Sequence, residues 1–258
     1  KGVFPMKYNG LTGRRVLVTG GSRGMGYAIA NAFLEQEAEV HLTGTKKGGK
    51  GPHGSIYHFC DFSNSENFEN LCDKVQRLKL DVLINNAGGG TAAKPIWEIT
   101  DQEWKSGIDT NLSSAFYCSR SVMQHMVGRG NGRIINVASG QGLRGQRGSF
   151  MYGCGKGGMI QLTRVLAGTY GSMGITSTCI VPGLVPVNER EGSKEPNPRF
   201  RFLPMGRAGY PQEVAPLAVF LASDASDYMN GEMFYCDGGA LAGGAAITGY
   251  SPIIELND

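Results

Sequence analysis

Residues 14–30 read RRVLVTGGSRGMGYAIA. The apolar run Val16–Val18 stops on glycines. Beyond Gly26, Ile29, Ala30, Phe33 and Leu34 recur at helical spacing. A short apolar run ending in glycine suits a buried strand, and the 3.6-residue period suits a helix laid against it. The segment EVHLTGT (39–45) then reads as a second strand. Strand, glycine turn, helix and strand make a βαβ unit, the opening of a parallel sheet.

The same alternation continues outward. IYHFCDF (56–62), DVLINNAG (81–88), GRIINVAS (132–139), ITSTCIVPG (175–183) and GEMFYCDGG (231–239) read as further strands. Helices are expected over 65–78, with Ser63 or Ser65 as N-cap, and over 101–127, 152–172 and 211–224. The long helix should bury Trp104, Ile108, Leu112, Phe116 and Met123; the next should bury Ile160, Leu162, Val165 and Leu166. KKGGKGPHGS (46–55) has five Gly or Pro and no apolar period, so a loop is expected where a second crossover helix would lie. This predicts one α/β domain over 1–258: a doubly wound Rossmann sheet with helices on both faces. Its expected parts include an arm at 1–12, a substrate loop at 184–210 and a tail at 240–258.

Composition narrows the function classes. The net charge of +3, with no Lys/Arg run, does not suggest a nucleic-acid partner. No apolar run approaches the roughly 18 residues of a membrane span. The six cysteines form no CxxC pair and share no ligand spacing with the four histidines. Reduced thiols, no metal and a cytoplasmic setting are the expectation.

The stretch TGGSRGMG (19–26) has the form T-G-x-x-x-G-x-G. Gly20 permits the turn, Gly24 clears space for a pyrophosphate, and Gly26 lets the helix approach the sheet. The helix N-terminus then offers N–H groups to phosphate. A carboxylate closing the second strand would favour NAD. TGTKK stands there instead, with no acid before Asp61. Arg23, Thr45 and Lys46 or Lys47 could hold a 2′-phosphate, so NADP(H) is favoured over NAD(H).

Tyr152 and Lys156 in MYGCGK (151–156) are i and i+4 and share a helix face. An ammonium stabilises phenolate, so such a tyrosine can give a proton to a ketone oxygen or take one from an alcohol. Ser139, at the end of the fifth strand, could bond the same oxygen. Asn111, inside the long helix, could disturb the ladder and hold a water that continues a relay from Lys156. Cys154 is open to two readings, a reactive thiol or a small residue chosen for fit.

These residues together resemble the short-chain dehydrogenase/reductase family, in its 3-oxoacyl-carrier-protein-reductase-like subgroup. The resemblance runs from about 11 to 239 and includes Asp61, NNAG (85–88), PG (182–183), LPMGRAGYPQEVA (203–215) and DGG (237–239). It implies a seven-stranded sheet and a ketone/alcohol oxidoreductase with the tetrad Asn111, Ser139, Tyr152 and Lys156. It implies cofactor contacts from Gly20, Ser22, Arg23, Gly24, Met25, Gly26, Thr45 and Lys46, then Asp61 and Phe62 near the adenine. Asn86, Ala87 and Gly88 line the adenosine ribose, Tyr152 and Lys156 the nicotinamide ribose, and Pro182, Gly183 and Val185 the carboxamide end.

Three features depart from the family: the short 46–55 loop, Val187 where threonine is frequent, and a long tail. The expected substrate is a small carbonyl or alcohol, either acidic or carried as an acyl group on phosphopantetheine. Candidate contacts are Gly90, Gln141, Arg144, Arg147 and Arg190, with Arg199 and Arg201 in the same loop region. In the family the helices at 101–127 and 152–172 commonly build a dimer face and the last strand and tail a second, so the resemblance implies a homotetramer, or a homodimer. The competing readings are a dinucleotide-binding sensor without turnover, an NAD-dependent alcohol dehydrogenase of the same family, and an epimerase or dehalogenase on the same scaffold.

Overall fold

Arg15–Val18 (β1) alternates its side chains between two cores. Val16 and Val18 turn toward one, while Leu17 joins the other. A strand apolar on both faces belongs inside a parallel sheet covered on both sides. The computed structural model, which describes residues 7–90, 93–187, 200 and 203–242, has that sheet. Seven parallel strands run in the order β3-β2-β1-β4-β5-β6-β7. They are β1, β2 (Glu39–Gly44), β3 (Ile56–Phe59), β4 (Val82–Asn85), β5 (Gly132–Val137), β6 (Ile175–Pro182) and β7 (Met233–Cys236). Helices α1 (Gly24–Glu35) and α6 (Pro211–Ala222) cover one face; α2 (Ser65–Leu78), α4 (Ser114–Arg129) and α5 (Phe150–Tyr170) cover the other.

The strand order reverses direction at β1 and β4, which are neighbours. Chains leave that junction in opposite directions, so a crevice opens at the carboxyl ends of the strands. No helix joins β2 to β3. Tyr57 supports the short loop instead: its hydroxyl donates to the Lys46 carbonyl at 2.7 Å, and a Cβ on Gly49 would lie 2.6 Å from its ring. The glycine is needed for that approach.

The structure corrects three sequence expectations. Helix α2 is capped by Asn64, not Ser63 or Ser65; the Asn64 side chain accepts from the Asn67 N–H at 3.2 Å. The helix expected over 101–127 is broken into α3 (Asp101–Ile108), a π-helical turn at Asp109–Ser113, and α4. Trp104, Phe116 and Val165, expected in buried stripes, are 44 %, 47 % and 54 % exposed. A π turn takes one extra residue and rotates everything beyond it. The inner face of α4 is therefore Ala115, Cys118, Val122 and Met126.

Gly174 joins α5 to β6 through a short turn at φ +79°, and a Cβ there would lie 1.9 Å from the Gly130 carbonyl oxygen. Gly13 has a similar φ of +70° with nothing within 4 Å. Gly13→Ala is expected to cost only the left-handed penalty of about 1–2 kcal/mol. Gly174→Ala adds a backbone collision and is expected to cost at least ~2 kcal/mol more. Chemical denaturation of both variants checks the difference.

Candidate active site

The glycine turn is clamped to the end of β4. The Thr19 hydroxyl oxygen accepts from the Asn86 and Ala87 N–H groups at 3.0 and 2.9 Å. The Asn86 amide donates back to the Thr19 carbonyl at 2.9 Å and the Gly20 carbonyl at 3.3 Å. A Cβ on Gly26 would lie 2.3 Å from the Gly20 oxygen, so helix and turn meet at a distance that only glycine allows. Gly20 and Gly24 sit at φ +64° and +56°. Arg23 caps α1 with no side-chain hydrogen bond, which leaves the first-turn N–H groups to an external acceptor. These features fit a dinucleotide pyrophosphate.

At the far end of β2, Thr45, Lys46 and Lys47 are exposed, as is Arg23. The Lys47 ammonium sits 5.8 Å from the Phe59 ring centre. Ser22 Oγ lies where a Cβ on Gly44 would come within 2.8 Å, so β2 and the glycine turn are in close register. Asp61 Oδ1 accepts from the N–H and hydroxyl of Ser63, at 3.0 and 2.7 Å. Phe62 turns inward and packs on Phe68. Val187 lies over the turn, with Cγ1 3.3 Å from a Cβ built on Gly24. Met25 and Val185 pack on the core that holds α1.

Lys156 is 2 % exposed. Its Nζ donates to the Val137 carbonyl at 2.7 Å and lies 5.7 Å from the centre of the half-buried Tyr152 ring. A Cβ on Gly88 would come within 2.9 Å of this nitrogen and 2.8 Å of Asn111 Oδ1, so the three residues converge. Asn111 occupies the π turn. Its amide donates to the Gly107 and Gly89 carbonyls at 2.9 and 3.1 Å and accepts from the Gly89 N–H at 3.0 Å. The side chain expected to hold a relay water is thus engaged in fixing the Gly88–Gly90 loop. Ser139, in extended backbone at the end of β5, accepts from the Gln141 N–H at 3.2 Å.

The glycines of YGCGKGG serve close packing. Cβ atoms on Gly155 and Gly158 would lie 2.7 Å from Asn111 Cβ and 2.6 Å from a Leu112 methyl. Beneath them runs a polar chain that the sequence motifs do not mark. Asn85 donates to Asn136 Oδ1 at 2.8 Å, Asn136 to Thr163 at 2.9 Å, and Thr163 to the Met159 carbonyl at 2.9 Å. It ties β4 and β5 to α5. The signal in the sequence is one asparagine in each of two mostly apolar strands, which the sheet sets directly opposite one another.

The candidate substrate residues divide between two cavities. Gly90 and Asn111 line one of about 520 Å³ with Lys94, Glu103 and Met151. Gln141 and Arg144 line another of about 390 Å³ beside exposed Cys154. Arg147 is exposed. Arg190, Arg199, Arg201 and the apolar tail segment lie outside the described residues. Among the described residues there is no group of three His, Cys, Asp or Glu able to hold a metal, and no helix is long and apolar enough to cross a membrane.

Residues 20–240 match the family model described as enoyl-(acyl carrier protein) reductase. The 3-oxoacyl-[acyl-carrier-protein] reductases of Chlamydia muridarum and Escherichia coli K12 are each 34 % identical to the chain. The first match spans 89 % of this chain and 98 % of the relative, the second 88 % and 97 %. A solved Beutenbergia cavernae protein, provisionally described as an NAD(P)-dependent gluconate 5-dehydrogenase and holding NADP at low occupancy, superposes with a TM-score of 0.79. It shares 30 % identity over 90 % of this chain and 98 % of its own.

Burial pushes the Lys156 amine down to about 8 from its usual 10.5. Below pH 8 the lysine is charged in both folded and unfolded chains, and the folded state bears the full desolvation cost. That cost fades as pH rises from about 8 to 10.5, where only the folded lysine is neutral. Lys156→Met is therefore expected to be more stable to unfolding than the parent at pH 7, by on the order of 1–3 kcal/mol, while losing turnover. The gap should narrow in melts above pH 10; a variant less stable than the parent at pH 7 contradicts this reading.

Proposed function

The chain belongs to the short-chain dehydrogenase/reductase family and is an oxidoreductase acting on CH–OH groups, and we propose that it interconverts a 3-oxoacyl thioester and its 3-hydroxy form with NADP(H). The observation that carries this reading is the buried Lys156 amine against the Tyr152 ring, at the same carboxyl edge of the sheet as a glycine turn fitted to a pyrophosphate. When bound, the nicotinamide supplies or accepts the hydride.

Tyr152 delivers the proton to the carbonyl oxygen, or removes it from the alcohol in the reverse direction. The charged form of Lys156 stabilises the phenolate that results. Ser139 donates a hydrogen bond to the same oxygen, and Asn111 holds the Gly88–Gly90 loop so that Lys156 keeps its place. Gly20, Ser22, Gly24, Met25 and Gly26 embrace the pyrophosphate; Asp61, Phe62, Asn86, Ala87 and Gly88 flank the adenosine. Pro182, Gly183 and Val185 meet the carboxamide.

Arg23, with Thr45 and Lys46, takes the 2′-phosphate, in keeping with the exposed cations and the lack of an acid at the end of β2. Gly90, Gln141, Arg144 and Arg147 belong to the substrate walls. The exposed Trp104, Phe116 and Val165 support a homotetramer built on the outer faces of α3, α4 and α5. A cytoplasmic setting accords with the free cysteines.

A second reading, a keto sugar acid as substrate, is favoured by the likeness to the Beutenbergia protein and by exposed Arg144. Loss of NADPH absorbance with a short 3-oxoacyl thioester, a 5-keto sugar acid and a neutral ketone separates the readings. The thioester is expected to turn over fastest, with NADPH preferred to NADH. NADPH binding without turnover of any carbonyl overturns the enzyme reading. Arg23→Ser is expected to raise the KM for NADPH about tenfold, the loss of one charge-assisted contact, and to leave that for NADH unchanged.

A further inference from the structure

Ser149 stands at the N-cap of α5, a position where a serine hydroxyl usually accepts a first-turn N–H. It makes no such bond. Its Oγ donates instead to Gln141 Oε1 at 2.5 Å, across the loop between β5 and α5. The backbone before it is set by Gly148, at φ +72°, where a Cβ would lie 2.6 Å from the Ala93 methyl. A hydroxyl at a helix start is thus turned away from its helix and toward one loop residue.

Gln141 is the middle residue of the turn Gly140–Gly142, between two glycines. Glycine leaves a backbone many conformations, so this turn has little of its own to hold it. Gly142 is needed there, since a Cβ would lie 2.6 Å from the Lys156 carbonyl carbon. The Gln141 N–H donates to Ser139 Oγ at 3.2 Å, and the Gly142 N–H to the Ser139 carbonyl at 2.9 Å. A serine hydroxyl has one proton and two lone pairs. With a lone pair taken by Gln141, the Ser139 proton is left to donate outward, as a reacting carbonyl oxygen requires.

We propose that Ser149 is a positioning residue, which through Gln141 fixes the turn that presents Ser139. Ser149 lies three residues before Tyr152, at the start of the same helix. The chain Ser149–Gln141–Ser139 therefore ties together the two hydroxyls assigned above to the substrate oxygen, one on α5 and one at the end of β5. Ser149 need not touch the reacting atoms, because a small displacement of an aligned donor is enough to slow a reaction. The inference rests on the roles proposed above for Ser139 and Tyr152, yet one arm of its test needs no turnover.

Ser149→Ala in the full chain is expected to lower kcat for carbonyl reduction about tenfold, the worth of one hydrogen bond, with KM within about twofold of the parent. Ser149→Thr, which keeps the hydroxyl, should restore it. In a Ser139→Ala background, Ser149→Ala should cost nothing further, since its route to the reaction is gone. Hydrogen exchange of the Gln141 N–H, followed by NMR, should be about tenfold faster in Ser149→Ala and near the parent's rate in Ser149→Thr. Gln141→Leu, which keeps the bulk and loses the acceptor, should speed exchange at the same N–H and keeps the test open if Ser149→Ala does not fold. Parent-like exchange in the folded variants, a parent-level kcat in Ser149→Ala, or an equal loss of kcat with and without the Ser139 hydroxyl overturns the tie. Faster exchange in a protein that reduces no carbonyl leaves the tie standing and defeats the function proposed above.

Discussion

The buried Lys156 amine, donating to the Val137 carbonyl, constrains everything packed around it. A lysine held at 2 % exposure needs its polar head satisfied and its stem surrounded. The glycines of α5 allow the approach, the π turn brings Asn111 alongside, and the Gly88 loop closes over the nitrogen. None of these is a favourable choice for a helix or loop in isolation. Together they hold the amine beside the Tyr152 ring, with burial lowering its affinity for a proton.

The rest of the fold brings that pair to the right place. Reversal of strand order at β1 and β4 opens a crevice at the carboxyl ends of the strands. Thr19 and Asn86 lock the two sides of that crevice together through four hydrogen bonds. The turn that results, with no side-chain cap at its helix N-terminus, meets Asn86 and Ala87, one residue before the Gly88 that approaches the amine. The glycine turn and the Tyr152–Lys156 pair thus share the carboxyl edge of one sheet. The polar chain from Asn85 through Asn136 to Thr163 keeps α5 from sliding along it.

Much of this is legible in the sequence. Apolar runs ending in glycine mark the strands, and the missing second crossover helix is readable from KKGGKGPHGS, which has no period to bury. The Tyr152–Lys156 spacing and the position of Asn111 mark the candidate site. Local pattern fails where one residue rotates all the helix beyond it. A π turn leaves no clear mark in hydrophobic periodicity, so the sequence pattern puts Phe116, which lies beyond it, on the wrong face. The choice of Asn64 over two neighbouring serines depends on backbone angles that composition does not encode. The Asn136–Thr163 contact joins residues 27 positions apart, which only the packing of α5 on the sheet brings together. The division of the candidate substrate residues between two cavities is equally beyond reach, since it depends on which side of α5 each loop takes.

The central claim is that the Tyr152 hydroxyl carries the proton under control of its lysine neighbour. The most direct measurement is NADPH-dependent carbonyl reduction by Tyr152→Phe, with melting temperature and NADPH binding measured on the same preparation. The account predicts a fall in kcat/KM of about 10²–10⁴-fold, the usual worth of a positioned general acid, in a folded protein that still binds the cofactor. A variant that is equally folded and reduces the carbonyl at the parent's rate would contradict it.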